Sequence, residues 1–192
     1  LFAKKNKIMS KTRKIIKWSL ITIVSAIVIV VTFGFWFMSL IKPDLKERTF
    51  TKDITIHELP YLTQDSVKNR GKILAVVTST ELMGASGKST GYELSELSRA
   101  YYVFIANGFQ VDIASPLGGN PPVVIDSEDM GAYDYAFLND TTAQRKVNNS
   151  IKVSDVKSKD YEAVYFVGGK GAMYDFPQSK GIQKIIRKLY EN

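Results

Sequence analysis

Two glutamates lie three residues apart in a segment, residues 92–107, whose apolar pattern predicts a helix. At roughly 100° per residue, Glu93 and Glu96 both fall near the edge of its apolar face. A carboxylate held there can act as a partly buried acid or base with a raised pKa, whereas most such residues form a solvated helix flank. The periodicity of the helix does not choose between the two glutamates.

A glycine-rich loop is the second feature that could do chemistry. Gly168, Gly169, Lys170 and Gly171 directly follow a short apolar segment that is typical of a strand. Glycine lets the backbone turn tightly, so the N–H groups of such a loop can bind an anion or a developing oxyanion. Glycines after a strand are also ordinary turns, so the loop alone does not identify a site.

A third segment, residues 84–89, is similar to a phosphate-binding loop but fails its spacing. The pattern requires four residues between its two glycines, and two residues separate Gly84 from Gly87. The first glycine would fall at position 82, which is Leu82. We therefore do not expect a nucleotide site.

The composition excludes several other chemistries within these 192 residues. They contain no cysteine, which rules out disulfides, thiolate metal sites and a cysteine nucleophile among them. A serine–histidine triad would have to use the single histidine, His57, which we interpret as a surface or packing residue. One histidine cannot supply a usual ligand set, so we expect no metal and no cofactor.

The net charge of +7 is concentrated at the N-terminus. Residues 1–17 carry seven of the 26 lysines and arginines and no acid, so the other 19 basic residues balance the 19 acids. A basic segment of this kind is not the footprint of a nucleic-acid-binding fold. We expect anionic lipid as its partner, and no nucleic acid.

Residues 18–41 are an uncharged apolar run that predicts one transmembrane helix, because roughly 20 helical residues cross a bilayer core of ~30 Å. A cleaved signal peptide would have a shorter apolar region followed by small residues, whereas this run ends in aromatic ones. The preceding cations place the N-terminus in the cytoplasm and the following domain on the extracytoplasmic side of the cell membrane. Met9 is the more natural start, which makes residues 1–8 an upstream extension.

After this run, residues 42–71 are predicted to be a polar stalk with one strand within residues 49–59. From residue 72 onward, apolar strands alternate with helices, and Pro177 is expected to open the last helix. In chain order, these elements are predicted at residues 73–78, 92–107, 109–115, 142–149, 163–167 and 178–190. The alternation predicts an α/β fold with a partial doubly wound (flavodoxin-like) parallel sheet. Three strands are few for such a sheet, so residues 72–192 are expected to be the N-terminal part of a larger domain.

Short motifs along residues 73–192 resemble the ThiJ/PfpI family of the class I glutamine amidotransferase-like superfamily, and most closely its glutathione-independent glyoxalase and chaperone-like branch. The motifs are STGYELSEL at 89–97, YYVF at 101–104, GFQVDIASP at 108–116, GG at 118–119, FLND at 137–140, SDV at 154–156 and GGKGAMYDFP at 168–177. Each motif is short, but the set in this order is specific.

The resemblance implies a site built around a cysteine at a strand-to-helix elbow, followed by a histidine. Glu96 matches the glutamate that contacts this cysteine, and the backbone of Gly169, flanked by Gly168 and Lys170, matches the oxyanion donor. Lys170 stands where the family usually has histidine. The elbow would follow Asn192, so the nucleophile is expected beyond this fragment, and the 192 residues alone are expected to be inactive.

The resemblance further implies a glyoxalase III-like enzyme that converts methylglyoxal to lactate, a detoxification reaction of the stress response. A thiolate adds to the aldehyde, a carboxylate transfers the proton, and backbone amides hold the oxyanion. The alternatives are a non-catalytic chaperone-like or binding protein of the same fold, and an amidase or amidotransferase-type hydrolase. The expected partners are membrane lipid and a small carbonyl substrate, and the oligomeric state, a homodimer included, stays open.

Overall fold

The computed structural model describes residues 2–41, 51–60, 62 and 67–191, and its contacts divide the chain into two units, residues 1–49 and 50–192. The first unit is one helix, α1 (Phe2–Ile41). Its segment Trp18–Ser39 has a mean hydropathy of 2.5 and is long and apolar enough to cross a membrane, by length and composition only. The predicted apolar helix is therefore present, and its insertion into a membrane stays a prediction.

The second unit contains a four-stranded parallel sheet in the order β5-β3-β1-β6. Its strands are β1 (Lys72–Val76), β3 (Gln110–Ser115), β5 (Ile151–Lys152) and β6 (Ala163–Phe166). A separate parallel pair joins β2 (Tyr92–Glu93) to β4 (Val123–Val124). In β1, four consecutive residues are buried, which explains its uninterrupted apolar sequence.

Helices cover both faces of the sheet, as the doubly wound prediction requires. Their bounds are α2 (Leu94–Ala106), α3 (Ala132–Asn139), α4 (Thr141–Asn148), α5 (Ala172–Asp175) and α6 (Lys180–Tyr190). One core cluster joins alternate strand residues such as Ala75 and Ile113 to residues of α2, α3 and α4. The other cluster joins Leu74 to Ile182 and Ile185 of α6. The α/β class and the parallel sheet are thus confirmed.

The strand predicted within residues 49–59 is wrong for the described part of that segment. Residues 51–59 form turns and a 3-10 helix, Ile56–Glu58, and Ile54 and Leu59 are buried in the core of the second unit. The Asn139 amide donates hydrogen bonds to the backbone carbonyls of Lys52 and Ile54, at 2.9 and 3.0 Å. The compact unit therefore begins before residue 72, while residues 42–50 of the predicted stalk lie outside the described residues.

Three further differences concern element boundaries. Tyr92 and Glu93, predicted as helix, form β2, so α2 begins at Leu94. Pro177 does not open the last helix, because α6 begins at Lys180, where the Ser179 hydroxyl caps it by accepting the Ile182 N–H at 3.3 Å. The prediction also missed β2, β4, β5, α3 and α5.

Candidate active site

The side chain of Glu96 and the glycine loop meet at the carboxyl edge of the sheet, where parallel α/β folds usually bind ligands. Glu96 lies in the first turn of α2, and Gly168 follows the end of β6. The Gly168 N–H donates to Glu96 Oε2 at 2.8 Å, and the Glu93 N–H donates to the Gly168 carbonyl at 3.0 Å. Both backbone groups of Gly168, the N–H and the carbonyl, are therefore bound by residues at the start of α2.

Two glycines in this loop lie where a side chain would meet other groups of the site. A Cβ at residue 168 would overlap Glu96 Oε2 and lie 2.8 Å from Glu96 Cδ. Gly169 has a φ of +117°, and a Cβ there would lie 2.5 Å from the Gly91 carbonyl oxygen. The close approach of loop and helix thus depends on the absence of side chains at both residues.

Hydrogen bonding divides the three predicted amide donors into two groups. The Gly168 N–H is occupied by Glu96, so the structure does not leave it for an oxyanion. The N–H groups of Gly169 and Lys170 form no hydrogen bond with any residue that the structure describes. These two consecutive donors, next to a fixed carboxylate, are the groups that can stabilise a developing negative charge.

Two cavities border this arrangement and share Glu93 and Asp126 in their walls. The first, of about 460 Å³, also includes the exposed Lys170. The second, of about 610 Å³, includes Glu96 and Tyr165. The Tyr165 hydroxyl donates to the backbone carbonyl of Glu96 at 3.1 Å, which ties β6 to the first turn of α2. The space beside Glu96 is large enough for a small substrate.

Carboxylates dominate the electrostatics of the two cavities. Burial raises the pKa of Glu93, and the negative charges of Asp126, Glu96 and Asp129 raise it further, while the positive charge of Lys170 opposes them. Burial, followed by the charge of Glu96, also raises the pKa of the Tyr165 hydroxyl. Glu93 is therefore a second carboxylate whose proton affinity the site increases.

Ion pairs of Arg99 hold the segment that contains Asp129, an acidic residue in the wall of the second cavity. Asp134 is fully buried (0% exposed) and accepts hydrogen bonds from Ser98, from the Gly131 N–H at 2.8 Å and from the Arg99 guanidinium at 2.9 Å. Arg99 also pairs with Asp129 at 3.1 Å. Sequence reasoning missed Arg99 and Asp134, because nothing in the local pattern distinguishes Asp134 from a surface acid.

The other candidate residues lie in ordinary local structure. His57 is exposed on the 3-10 helix Ile56–Glu58, and residues 84–86 of the rejected phosphate-binding loop form another 3-10 helix. In the part of the chain that the structure describes, no group of three or more histidine, aspartate or glutamate side chains could hold a metal ion.

The sequence is similar to those of known glyoxalases, although no protein-family model matches the chain. The glutathione-independent glyoxalase hsp3102 of Schizosaccharomyces pombe is 33% identical over 110 residues, which cover 55% of this chain and 46% of that protein. Glyoxalase 3 of Candida albicans is 27% identical over 126 residues, which cover 62% of this chain and 52% of that protein. The chain thus spans about half the length of these curated relatives.

Solved structures also match the chain over about half of their own length, and one of them is a glyoxalase. The 24 kDa rapid encystment protein of Francisella tularensis matches with a TM-score of 0.59 and 36% identity, over 63% of this chain and 54% of that one. Glyoxalase III of Candida albicans matches with a TM-score of 0.54 and 27% identity, over 63% of this chain and 53% of that one. The chain is therefore homologous to glutathione-independent glyoxalases and shares the fold of the matched half of glyoxalase III.

Proposed function

We propose that the full-length protein is a glutathione-independent glyoxalase that converts methylglyoxal to lactate, with a cysteine nucleophile outside residues 1–192. The observation that carries the proposal is the Glu96 carboxylate, which accepts a hydrogen bond from the Gly168 N–H at 2.8 Å beside the Gly169 and Lys170 amides, two donors without a partner among the described residues. The similarity to glutathione-independent glyoxalases supports assigning this reaction to the half-site.

The proposed chemistry assigns one role to each group. A thiolate forms a bond to the aldehyde carbon of methylglyoxal, and the Gly169 and Lys170 N–H groups stabilise the resulting oxyanion. Glu96 removes the proton from that carbon and returns it to the neighbouring one, which yields a lactate thioester. Water then hydrolyses the thioester, releasing lactate and regenerating the thiol, so the net reaction adds one water to methylglyoxal.

The sheet topology supports a nucleophile next to the glycine loop. From β1, the chain moves through α2 to β3, and β6 then lies on the other side of β1, with α6 covering the opposite face. Right-handed crossovers are the rule in parallel sheets, and a strand after α6 would therefore lie beyond β6. Its carboxyl end would be near the loop that begins at Gly168.

We also propose that α1 anchors the protein as a single-pass helix, with the N-terminus cytoplasmic. Its apolar segment has 22 residues and is ~33 Å long, which matches a bilayer core. Near its C-terminal end, Phe33 packs against Trp36, with ring centroids 5.5 Å apart, and stacks on Phe37. The hydroxyls of Thr22 and Thr32 donate to helix carbonyls, at 2.8 Å in each case, which suits a segment in hydrocarbon.

Lactate formation from methylglyoxal without glutathione tests the proposed reaction. We expect the full-length protein to form lactate and residues 1–192 to form none, because the latter contain no cysteine. Activity in residues 1–192 would contradict the proposal. A folded but inactive full-length protein would also contradict it and would favour the chaperone-like or amidase alternatives.

A further inference from the structure

Asp175, the last residue of α5, joins the helix after the glycine loop to the end of β1. Asp175 Oδ2 accepts a hydrogen bond from the Thr78 hydroxyl at 2.8 Å and another from the Ser79 N–H at 2.7 Å. The Thr78 hydroxyl in turn accepts the Thr80 N–H at 3.0 Å, and Thr78 is fully buried. One carboxylate oxygen thus holds two consecutive residues of a different loop.

The same contacts extend to a third loop at the carboxyl edge of the sheet. The Ser79 side-chain oxygen accepts a hydrogen bond from the N–H of Leu117, which follows β3, at 3.0 Å. Asp175 is therefore connected to the segments that follow β1 and β3, while its own segment follows β6. Of these contacts, those with Thr78 and Ser79 tie α5 directly to the segment after β1.

The glycine loop leads directly into α5 and is packed without spare space against the segment that follows β1. A Cβ at Gly171 would lie 2.7 Å from Thr78 Cγ2, so the loop contacts the end of β1 directly. α5 has four residues, and isolated helices of that length are not stable in water. Its position must therefore come from tertiary contacts, and Asp175 makes the charged ones among those described here.

Burial of the second carboxylate oxygen shows that this arrangement has a cost. Asp175 Oδ1 is buried and has no hydrogen-bond partner among the described residues. Burying an unpaired polar atom is unfavourable, but ionised acceptors form stronger hydrogen bonds than neutral ones. Asp175 thus forms two strong hydrogen bonds at Oδ2, while its Oδ1 forms none with the described residues.

We infer that Asp175 is a positioning residue that fixes the glycine loop against β1, so that the Gly169 and Lys170 amides stay beside Glu96. The inference rests on the proposed function, because the amides act on the oxyanion of that reaction. A positioning role of this kind stabilises the transition state more than the bound substrate. Its loss should therefore lower kcat more than it raises KM.

The first test compares Asp175→Ala and Asp175→Asn in the full-length protein, with the exposed Asp160→Ala as the matched control. Asp175→Ala should lower kcat about tenfold to a hundredfold with KM within about twofold, because displacing oxyanion donors should cost less than removing one, which costs about a hundredfold to a thousandfold. Asp175→Asn retains an oxygen that can accept both hydrogen bonds and should stay within about fivefold of the wild type. Asp160→Ala should not change kcat.

Hydrogen–deuterium exchange tests the positioning independently of activity. Asp175→Ala should speed amide exchange in residues 168–175 and 78–82 by about tenfold, with exchange in α2 and α4 unchanged. If that variant does not fold, Thr78→Val removes one of the two donors and should produce a smaller change in the same segments. Because exchange is measured without substrate, it still tests the position of the loop if the full-length protein is not a glyoxalase.

Two results would overturn the inference. One is unchanged exchange in residues 168–175 together with unchanged kcat in Asp175→Ala. The other is a uniform rise of exchange across the domain, with full recovery of kcat when the temperature is lowered, which would make Asp175 a general stabilising residue.

Discussion

The carboxylate of Glu96 accepts a 2.8 Å hydrogen bond from the backbone N–H of Gly168, a residue 72 positions further along the chain. This contact joins the first turn of α2 to the loop after β6 and orients the carboxylate at the carboxyl edge of the sheet. A side chain at residue 168 would disturb this contact, since a Cβ there would overlap the carboxylate. The predictions below depend on this contact and on the charges around it.

Gly168→Ala should destabilise the second unit by about 0.5–1.5 kcal/mol, because the new methyl group displaces the flexible Glu96 carboxylate from its hydrogen bond to the Gly168 N–H. The free energy of unfolding in urea measures the effect. In a Glu96→Ala background, the same substitution should cost much less, since the overlapping group is then gone. Equal costs in both backgrounds would show that Glu96 is not what excludes a side chain at residue 168.

Glu93→Gln should stabilise the protein at neutral pH and have little effect at pH 3. Burial and the neighbouring carboxylates raise the folded-state pKa of Glu93 above its ordinary value of 4.5. The folded state therefore binds this proton more tightly than the unfolded state, and that stabilisation is present below pH 4.5 and lost as the pH rises through the folded-state pKa.

The free energy of unfolding as a function of pH measures this effect, which should be under ~1 kcal/mol because Glu93 is partly solvated. Adding Lys170→Met should enlarge the stabilisation that Glu93→Gln produces at neutral pH, since Lys170 opposes the rise of the Glu93 pKa. A Glu93→Gln effect of the same size at pH 3 and pH 7 would contradict the prediction.

Buried tyrosines should make the second unit sensitive to alkali. Burial raises the pKa of Tyr92 to about 12, and burial together with the charges of Asp140 and Asp112 raises that of Tyr101 to about 12. Their contribution to stability is present below the ordinary value of 10 and lost as the pH approaches 12.

Tyrosinate absorbance and circular dichroism, recorded on one sample during an alkaline titration, measure this sensitivity. Ionisation of the buried tyrosines should coincide with unfolding, and Tyr92→Phe should shift the transition to higher pH. Ionisation of these tyrosines near pH 10 without loss of circular dichroism would contradict the prediction.

The proposed anchor predicts a defined labelling pattern. The 192 residues contain no cysteine, so single cysteines can report on the side of the membrane. Lys184→Cys, on an exposed position of α6, should react with a membrane-impermeant maleimide in intact cells, and Ser10→Cys should react only after lysis. The reverse pattern would invert the proposed orientation, and labelling of both cysteines only after lysis would contradict an extracytoplasmic domain.

The parts of the fold that follow from the sequence are those with a strong local pattern. The strands β1, β3 and β6 each contain short apolar stretches, and α2 has a clear apolar face, so their patterns predict them. The two-residue strands β2, β4 and β5 are too short to carry any periodicity. α3 begins at Ala132 after Gly131, which has no side chain of its own to cap the helix, and its aromatic-rich sequence has a weak apolar face.

In the candidate site, too, only some of the residues could be predicted from local sequence patterns. Glu96 and the glycine loop could be named from the family motifs, whereas helical periodicity alone did not separate Glu96 from Glu93. The hydrogen bond to Gly168 and the contacts of Asp175 join residues far apart in the chain, and no local pattern predicts such pairs. Occupation of the Gly168 amide by Glu96 likewise became visible only in three dimensions.

Lactate formation by Glu96→Gln and Glu93→Gln variants of the full-length protein tests the central claim most directly. If the carboxylate bound to Gly168 transfers the proton, Glu96→Gln should lower kcat about a hundredfold or more, because proton transfer by a placed side chain contributes that much. Glu93→Gln, the matched control three residues away, should stay within about fivefold of the wild type, since its carboxylate does not contact the glycine loop. Full activity in Glu96→Gln together with a large loss in Glu93→Gln would contradict the assignment.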